Sequence, residues 1–228
     1  MKRKFKFNKN YYDENVAIFK KGTVQIESGL TILVGCNGSG KTTLIDVIMN
    51  DLEKGEISYK CFDNLNQGGS YARDMAMYRH DMAFLATAVC SSEGENIIMN
   101  IGRLAGQVGD MVRAAKNAGE QEVWLLLDAI DSGLSIDNII SLKQLLFKTM
   151  IDDCRNEGIE PYIVVAANEY ELACGENCFD VYSGKYLKFR DYDDYRKFIL
   201  QSKEEKERLW DLIETLNEKK QIKNEENA

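Results

Sequence analysis

A chain of 228 residues with 44% hydrophobic content carries enough apolar mass for one globular domain with its own core, which excludes a disordered chain. Its 37 acidic residues against 29 basic ones give a net charge of -8, so the surface as a whole repels phosphate polymers and any nucleic-acid contact has to be local. No apolar run reaches the roughly 18 residues of a membrane span, and the charged start lacks the apolar segment of a secretory signal, so the expectation is a cytoplasmic chain without membrane insertion.

The first nine residues crowd Lys2, Arg3, Lys4, Lys6 and Lys9 around Phe5 and Phe7. This pattern suits a half-buried edge strand and equally a local contact with nucleic acid. Short strands are predicted from Phe5 to Phe7, Val16 to Phe19 and Thr23 to Ile26, then a fully apolar strand from Leu30 to Val34. A glycine-rich loop follows, and Thr42 to Leu52 carries Leu44, Ile45, Val47, Ile48 and Leu52 at helical spacing until Lys54-Gly55 closes the helix.

Residues 56–62 read as another strand and 63–71 as a loop. From Ala72 to Ala118 the pattern is helical, with breaks near Ser91 to Glu95 and at Gly119. Val123 to Leu127 is a continuous apolar run of the kind buried on both faces of a parallel sheet. Ile136 to Arg155 reads as a helix, Tyr162 to Ala167 as a buried strand, and Asp180 to Phe189 as a hairpin turning at Ser183-Gly184. From Asp191 a charged helix is predicted with Leu209, Leu212, Ile213 and Leu216 on one face, fading into a disordered end after Lys219. The six cysteines have no framework spacing, which fits reduced thiols. Cys174 and Cys178 flank a turn, but no second pair and a single histidine, His80, argue against zinc.

The chemistry concentrates in Gly35-Cys36-Asn37-Gly38-Ser39-Gly40-Lys41-Thr42-Thr43. Glycines at 35, 38 and 40 let successive backbone amides turn inward around an anion. Lys41 then reaches the β and γ phosphates, the hydroxyl of Thr42 is placed for Mg2+, and the helix points its positive end at the phosphates. The expected ligand is Mg-ATP, and Asp128, ending the apolar strand, is the expected carboxylate for the metal.

With Asp128-Ala129-Ile130-Asp131-Ser132-Gly133-Leu134-Ser135 in view, most of the chain resembles the ATP-binding cassette (ABC) ATPases. Within them it is similar to the soluble branch of chromosome-maintenance and recombinational-repair ATPases. Gly35 to Thr43 resembles the family's Walker A, Ser92-Glu93-Gly94-Glu95 its signature at a helix start, Val123 to Asp128 its Walker B, and Ser132 to Ser135 its D-loop. The resemblance implies an α/β P-loop NTPase fold, an ABC-type head with a mixed sheet core, antiparallel N-terminal strands and a small helical subdomain. It implies a single domain over 1–228, with 68–118 as the signature subdomain and 191–228 as a charged helix and tail.

It also implies an ATP-sandwiched homodimer in which Ser92, Gly94 and Glu95 of one chain cap the γ phosphate held by the other. Gln67, or Asn66 beside it, falls where the family contacts Mg2+ and water, and Tyr12, or Tyr11, lies where it stacks on adenine. Three positions depart from the pattern. Ala129 replaces the catalytic glutamate and cannot polarise water, so hydrolysis by the usual route is expected to be severely impaired. Such an alanine is also a common engineered trap for the ATP-bound dimer. Asn168 replaces the switch histidine, and Glu93 replaces a signature glycine. Asp131 lies past the strand end and is no obvious rescue.

About fifty residues separate Thr42 from Ser92, too few for long coiled-coil arms. The leading expectation is thus a standalone clamp in DNA maintenance, phage biology or defence, with a DNA or protein partner compatible. A non-hydrolysing ATP sensor that recruits a protein, and a transporter's ATPase subunit, are the alternatives.

Overall fold

The computed structural model describes residues 1–6, 19–63, 77–82, 93–132 and 134–226. The backbone first forms an antiparallel pair, β1 (Lys2–Lys6) and β2 (Thr23–Glu27), with Phe5 opposite Val24. Alternation decides its faces: Phe5, Val24 and Ile26 are buried, whereas Lys4, Lys6 and Gln25 are exposed. The edge-strand reading of the basic amino terminus therefore holds for these residues. Lys2 pairs with Glu27 at 2.8 Å and Arg3 with Glu122 at 3.0 Å.

The larger sheet has six strands, β3 (Gly29–Val34), β4 (Tyr59–Asp63), β5 (Glu122–Asp128), β6 (Glu160–Ala166), β7 (Cys178–Asp180) and β8 (Lys185–Leu187), in the order β4-β5-β6-β3-β7-β8. All neighbours run parallel except the β7-β8 hairpin, which turns at Ser183-Gly184 as the sequence predicts. Parallel strands covered on both faces read as uninterrupted apolar runs, and β5 shows why. Val123, Leu125 and Leu127 face one layer while Trp124 and Leu126 face the other, and all five are fully buried.

On one side the sheet meets α1 (Lys41–Lys54), through Leu44, Ile45, Ile48 and Leu52, together with the β1-β2 pair. Trp124 stacks on Tyr162 with centroids 4.1 Å apart and meets the edge of Phe5 at 5.4 Å, which ties the small sheet to the large one. On the other side lie α2 (Glu93–Ala118), with Leu104, Val108 and Val112, and a helical run over 136–156 carrying Ile139, Leu142, Phe147 and Met150. That run is predicted as one α-helix. It is α3 (Ile136–Leu142), a π-helical turn (Lys143–Lys148) and α4 (Thr149–Asn156). At the π turn Lys143 pairs with Glu176 at 2.8 Å and donates to the Cys174 carbonyl at 2.9 Å.

A short helix, α5 (Tyr170–Ala173), follows β6, and α6 (Tyr192–Glu226) completes the described chain. A disordered end is expected after Lys219, but the helix continues to Glu226, because its Glu, Lys and Gln residues favour a helix without an apolar stripe. The helix expected over 72–118 is seen from Glu93 onward, and residues 77–82 form a turn in which His80 N donates to Met77 O. The strand expected over 16–19 lies, apart from the buried Phe19, outside the described residues.

Candidate nucleotide site

β3, β5 and β6 are parallel, so their C-terminal ends open at one edge of the sheet, and the residues singled out by the sequence gather there. β3 ends at Val34, the loop turns through Gly35 to Gly40, and α1 begins at Lys41. Gly35, Gly38 and Gly40 have φ of 149°, 74° and 95°, a region side chains rarely adopt. A Cβ at Gly35 would lie 2.5 Å from Ser39 Oγ, so crowding as well as backbone angle keeps glycine there.

Lys41 is only 8% exposed, and its ammonium donates to the Gly35 carbonyl at 2.8 Å and the Cys36 carbonyl at 3.2 Å. Burial pulls its pKa down, and the nearby carboxylates of Asp131 and Asp128 pull it back up. Asn37 and Gly38 are exposed at the rim, Thr42 is exposed, and Thr43 is buried beneath the loop. The Ser39 hydroxyl is buried within the loop without a hydrogen-bond partner. A buried orphan hydroxyl, a ring of positive-φ glycines and a lysine parked on carbonyls all fit a phosphate chain, which would supply the missing acceptors.

Asp128 stands at the end of β5, directly opposite Asp63 at the end of β4. Burial raises its pKa first, and Asp63 adds to this, against hydrogen bonds from the Thr42 side chain and the Ala129 backbone and the charge of Lys41. Asp46, on α1, is raised by burial and by the same two carboxylates. A hydroxyl in contact with a carboxylate whose charge is costly is a donor set that a hard divalent cation fits. Thr42 and Asp128 would hold Mg2+, which when bound would neutralise charge on the phosphates.

Ala129, in the glutamate position, has φ 50°, a left-handed backbone for a residue with a side chain. Beyond it the chain turns inward. Asp131 is 2% exposed, and its Oδ2 accepts from the backbone amides of Asn168 at 2.6 Å and Glu169 at 2.7 Å. Its Oδ1 is buried without a partner. The Asn168 carbonyl accepts from the Tyr195 hydroxyl of α6 at 2.7 Å. Asn168 itself is exposed just past β6.

Gly94 and Glu95 lie in α2 near the first of its described residues, and Glu95 is exposed. The described part of this helix begins at Glu93, and Ser92, with the start expected for the signature, lies outside the described residues. So do Tyr12, Tyr11, Gln67, Asn66 and Gly133. Cys178 is buried, donates to the Ala173 carbonyl, and is pushed by burial up to about 12, whereas Cys174 is exposed.

Two groups at the site are not found by reading motifs. Asp131 has a structural duty that only the fold reveals. Ser202 and Lys206 of α6 also reach the loop: Cys36 N donates to Ser202 Oγ at 3.0 Å, and Lys206 donates to the Asn37 carbonyl at 2.9 Å. The one available signal was a serine in a helix otherwise crowded with charge.

Comparison with known proteins finds relatives of the sequence. Residues 14–50 match the model of a family described as AAA domain. A DNA double-strand break repair Rad50 ATPase of Methanosarcina acetivorans is 27% identical over 175 residues, covering 68% of this chain and 16% of the relative. The protein of the same name from Methanosarcina mazei matches with the same figures. The chain thus corresponds to a small part of the relatives it matches. A nucleotide-free ATP-binding cassette from an ABC transporter, solved by crystallography, superposes with a TM-score of 0.48 and 13% identity, covering 89% of this chain and 98% of that one. In sequence the chain resembles ABC-type P-loop ATPases of the recombinational-repair branch.

Proposed function

We propose that the chain is an ABC-type ATPase head that binds Mg-ATP and pairs with a second copy around it, a nucleotide-driven clamp in DNA maintenance, phage biology or defence. The observation that carries this reading is the loop itself, where three positive-φ glycines, a buried Lys41 parked on loop carbonyls and a Thr42–Asp128 contact sit together at the sheet edge. Gly35, Asn37, Gly38, Ser39, Gly40, Lys41, Thr42 and Thr43 would form the phosphate cradle, and Thr42 and Asp128, with Gln67, the metal site. Ser92, Gly94 and Glu95 would cap the γ phosphate of the partner copy, and Tyr12 would lie on the adenine.

Hydrolysis needs a base that takes a proton from the attacking water, and a methyl group at position 129 offers none. In this reading the chain orients the phosphates and holds them while turnover stays slow, with Asn168 hydrogen-bonding the terminal phosphate without carrying a proton. Oligomeric state is the test: the full chain should be monomeric alone and dimeric with Mg-ATP, and a monomer under both conditions contradicts the clamp. A second reading, a non-hydrolysing ATP sensor that recruits a protein, is favoured by the left-handed backbone of Ala129, which turns that position away from ordinary strand-end geometry. It predicts that Ala129→Glu raises turnover no further than background.

No helix of the described residues is long and apolar enough to cross a membrane. A DNA partner would have to find charge beyond Lys2 and Arg3, which are paired within the chain. A DNA-binding titration over a salt series, with Lys4 and Lys6 reversed in charge, would detect it.

A further inference from the structure

Helix α6 touches the nucleotide site through Tyr195, Ser202 and Lys206, which stand at i, i+7 and i+11 and so share one face. Each contact reaches the backbone of a loop at the sheet edge. The Tyr195 hydroxyl holds the Asn168 carbonyl, Ser202 Oγ accepts from Cys36 N, and Lys206 Nζ donates to the Asn37 carbonyl. Tyr195 and Ser202 are 5% and 9% exposed, so the face is seated rather than swinging in solvent.

The other basic residues nearby on the helix are engaged along it: Lys203 pairs with Glu207 at 3.6 Å, and Arg208 with Glu204 at 3.9 Å. Among the described residues no carboxylate pairs with Lys206. Its nitrogen would lie 3.0 Å from a Cβ at Gly38, so the missing side chain of Gly38 is also what lets this ammonium approach the loop. The carbonyls of Gly35, Cys36 and Asn37 are consecutive, and between them they hold two ammonium groups, Lys41 on the first two and Lys206 on the third.

We infer that Lys206 is a second, in-cis cation of the nucleotide site that acts on the terminal phosphate and favours a nucleoside triphosphate over the diphosphate. The inference rests on the reading of Gly35 to Thr43 as an ATP site. Lys41 reaches the β and γ phosphates from such a loop, so the carbonyls where it waits mark the β/γ end. Lys206 waits on the adjoining carbonyl, in the same posture. An anion strong enough to draw Lys41 from neutral carbonyls attracts a neighbouring ammonium by the same Coulomb argument, and a charge-assisted bond replaces a neutral one. Ser202, bonded to the loop four residues before Lys206, positions it.

The test is equilibrium binding of Mg-ATP and Mg-ADP to the full chain, comparing the parent with Lys206→Met, Lys206→Gln, Lys206→Arg and Ser202→Ala. Loss of the charge should weaken ATP about tenfold and ADP less than twofold. Lys206→Arg should keep most of the ATP preference, and Ser202→Ala should lose part of it. Thermal unfolding of nucleotide-free Lys206→Met and Lys206→Gln should match the parent. If both nucleotides weaken by the same factor, or neither does, Lys206 only shapes the loop and the inference is overturned. A parent that binds neither nucleotide overturns the ATP-site reading itself, and this one with it.

Discussion

The loop after β3 and the loop after β5 open at the same edge of the sheet but have diverged differently from what ATP hydrolysis requires. The first carries the groups that the proposed function assigns to a phosphate chain: its glycines, the Lys41 ammonium and the Thr42 hydroxyl. The second follows Asp128, the carboxylate proposed for the metal, yet next to it places an alanine in a left-handed backbone. Its following carboxylate, Asp131, is spent on the amides of Asn168 and Glu169. In the proposed function, holding ATP and breaking it are therefore separable, because the phosphate loop and the position of the missing base follow different strands.

The largest expected effect comes from removing the first loop's cation. Lys41→Met forfeits charge-assisted contacts to the phosphates, so Mg-ATP affinity should fall roughly a hundredfold in a calorimetric titration. An unchanged affinity would mean that the loop does not hold nucleotide. Asp131→Ala strikes the second loop's structure rather than its chemistry. It strips two amides of a buried carboxylate acceptor and should cost about 2–3 kcal/mol in denaturant unfolding, with Asp131→Asn losing less because its amide oxygen still accepts. A loss equal to that of an ordinary surface substitution would show that the switch backbone holds itself.

Asp128→Asn separates stability from function. Burial and Asp63 make the Asp128 charge costly, so the nucleotide-free variant should unfold at a higher temperature than the parent, while its Mg2+-dependent ATP affinity drops. A drop in both would contradict the claim that the carboxylate is kept for its ligand. The smallest effect is at the neighbouring position. Ala129→Gly relieves the left-handed strain at φ 50° against a greater loss of chain entropy, for a net gain of up to about 1 kcal/mol by thermal unfolding. A net loss would place the strain elsewhere.

How much of this was legible in the sequence depended on how locally each feature is encoded. β3, β5 and β6 are read correctly because burial on both faces leaves an uninterrupted apolar run, and the loop at Gly35 to Thr43 because its chemistry lies in nine consecutive residues. The π turn at Lys143 was not legible: it goes with long-range contacts to Glu176 and Cys174, which helical periodicity does not register. Asp131 looked like a residue past the end of a strand, and only the parallel pairing of β5 with β6 brings it to Asn168. Ser202 and Lys206 sit more than 160 positions from the loop atoms they touch, in a helix whose charge pattern reads as solvated surface. The expected roles of Tyr12, Gln67 and Ser92 fall on residues outside those described.

The central claim, that this chain binds ATP much faster than it breaks it, is tested most directly by measuring Mg-ATP binding and phosphate release on the same preparation of the full chain, beside Ala129→Glu. The account predicts saturable binding by the parent with phosphate release near background, and release at least about a hundredfold faster once the carboxylate is restored. No saturable binding, or phosphate release by the parent as fast as by Ala129→Glu, would contradict it.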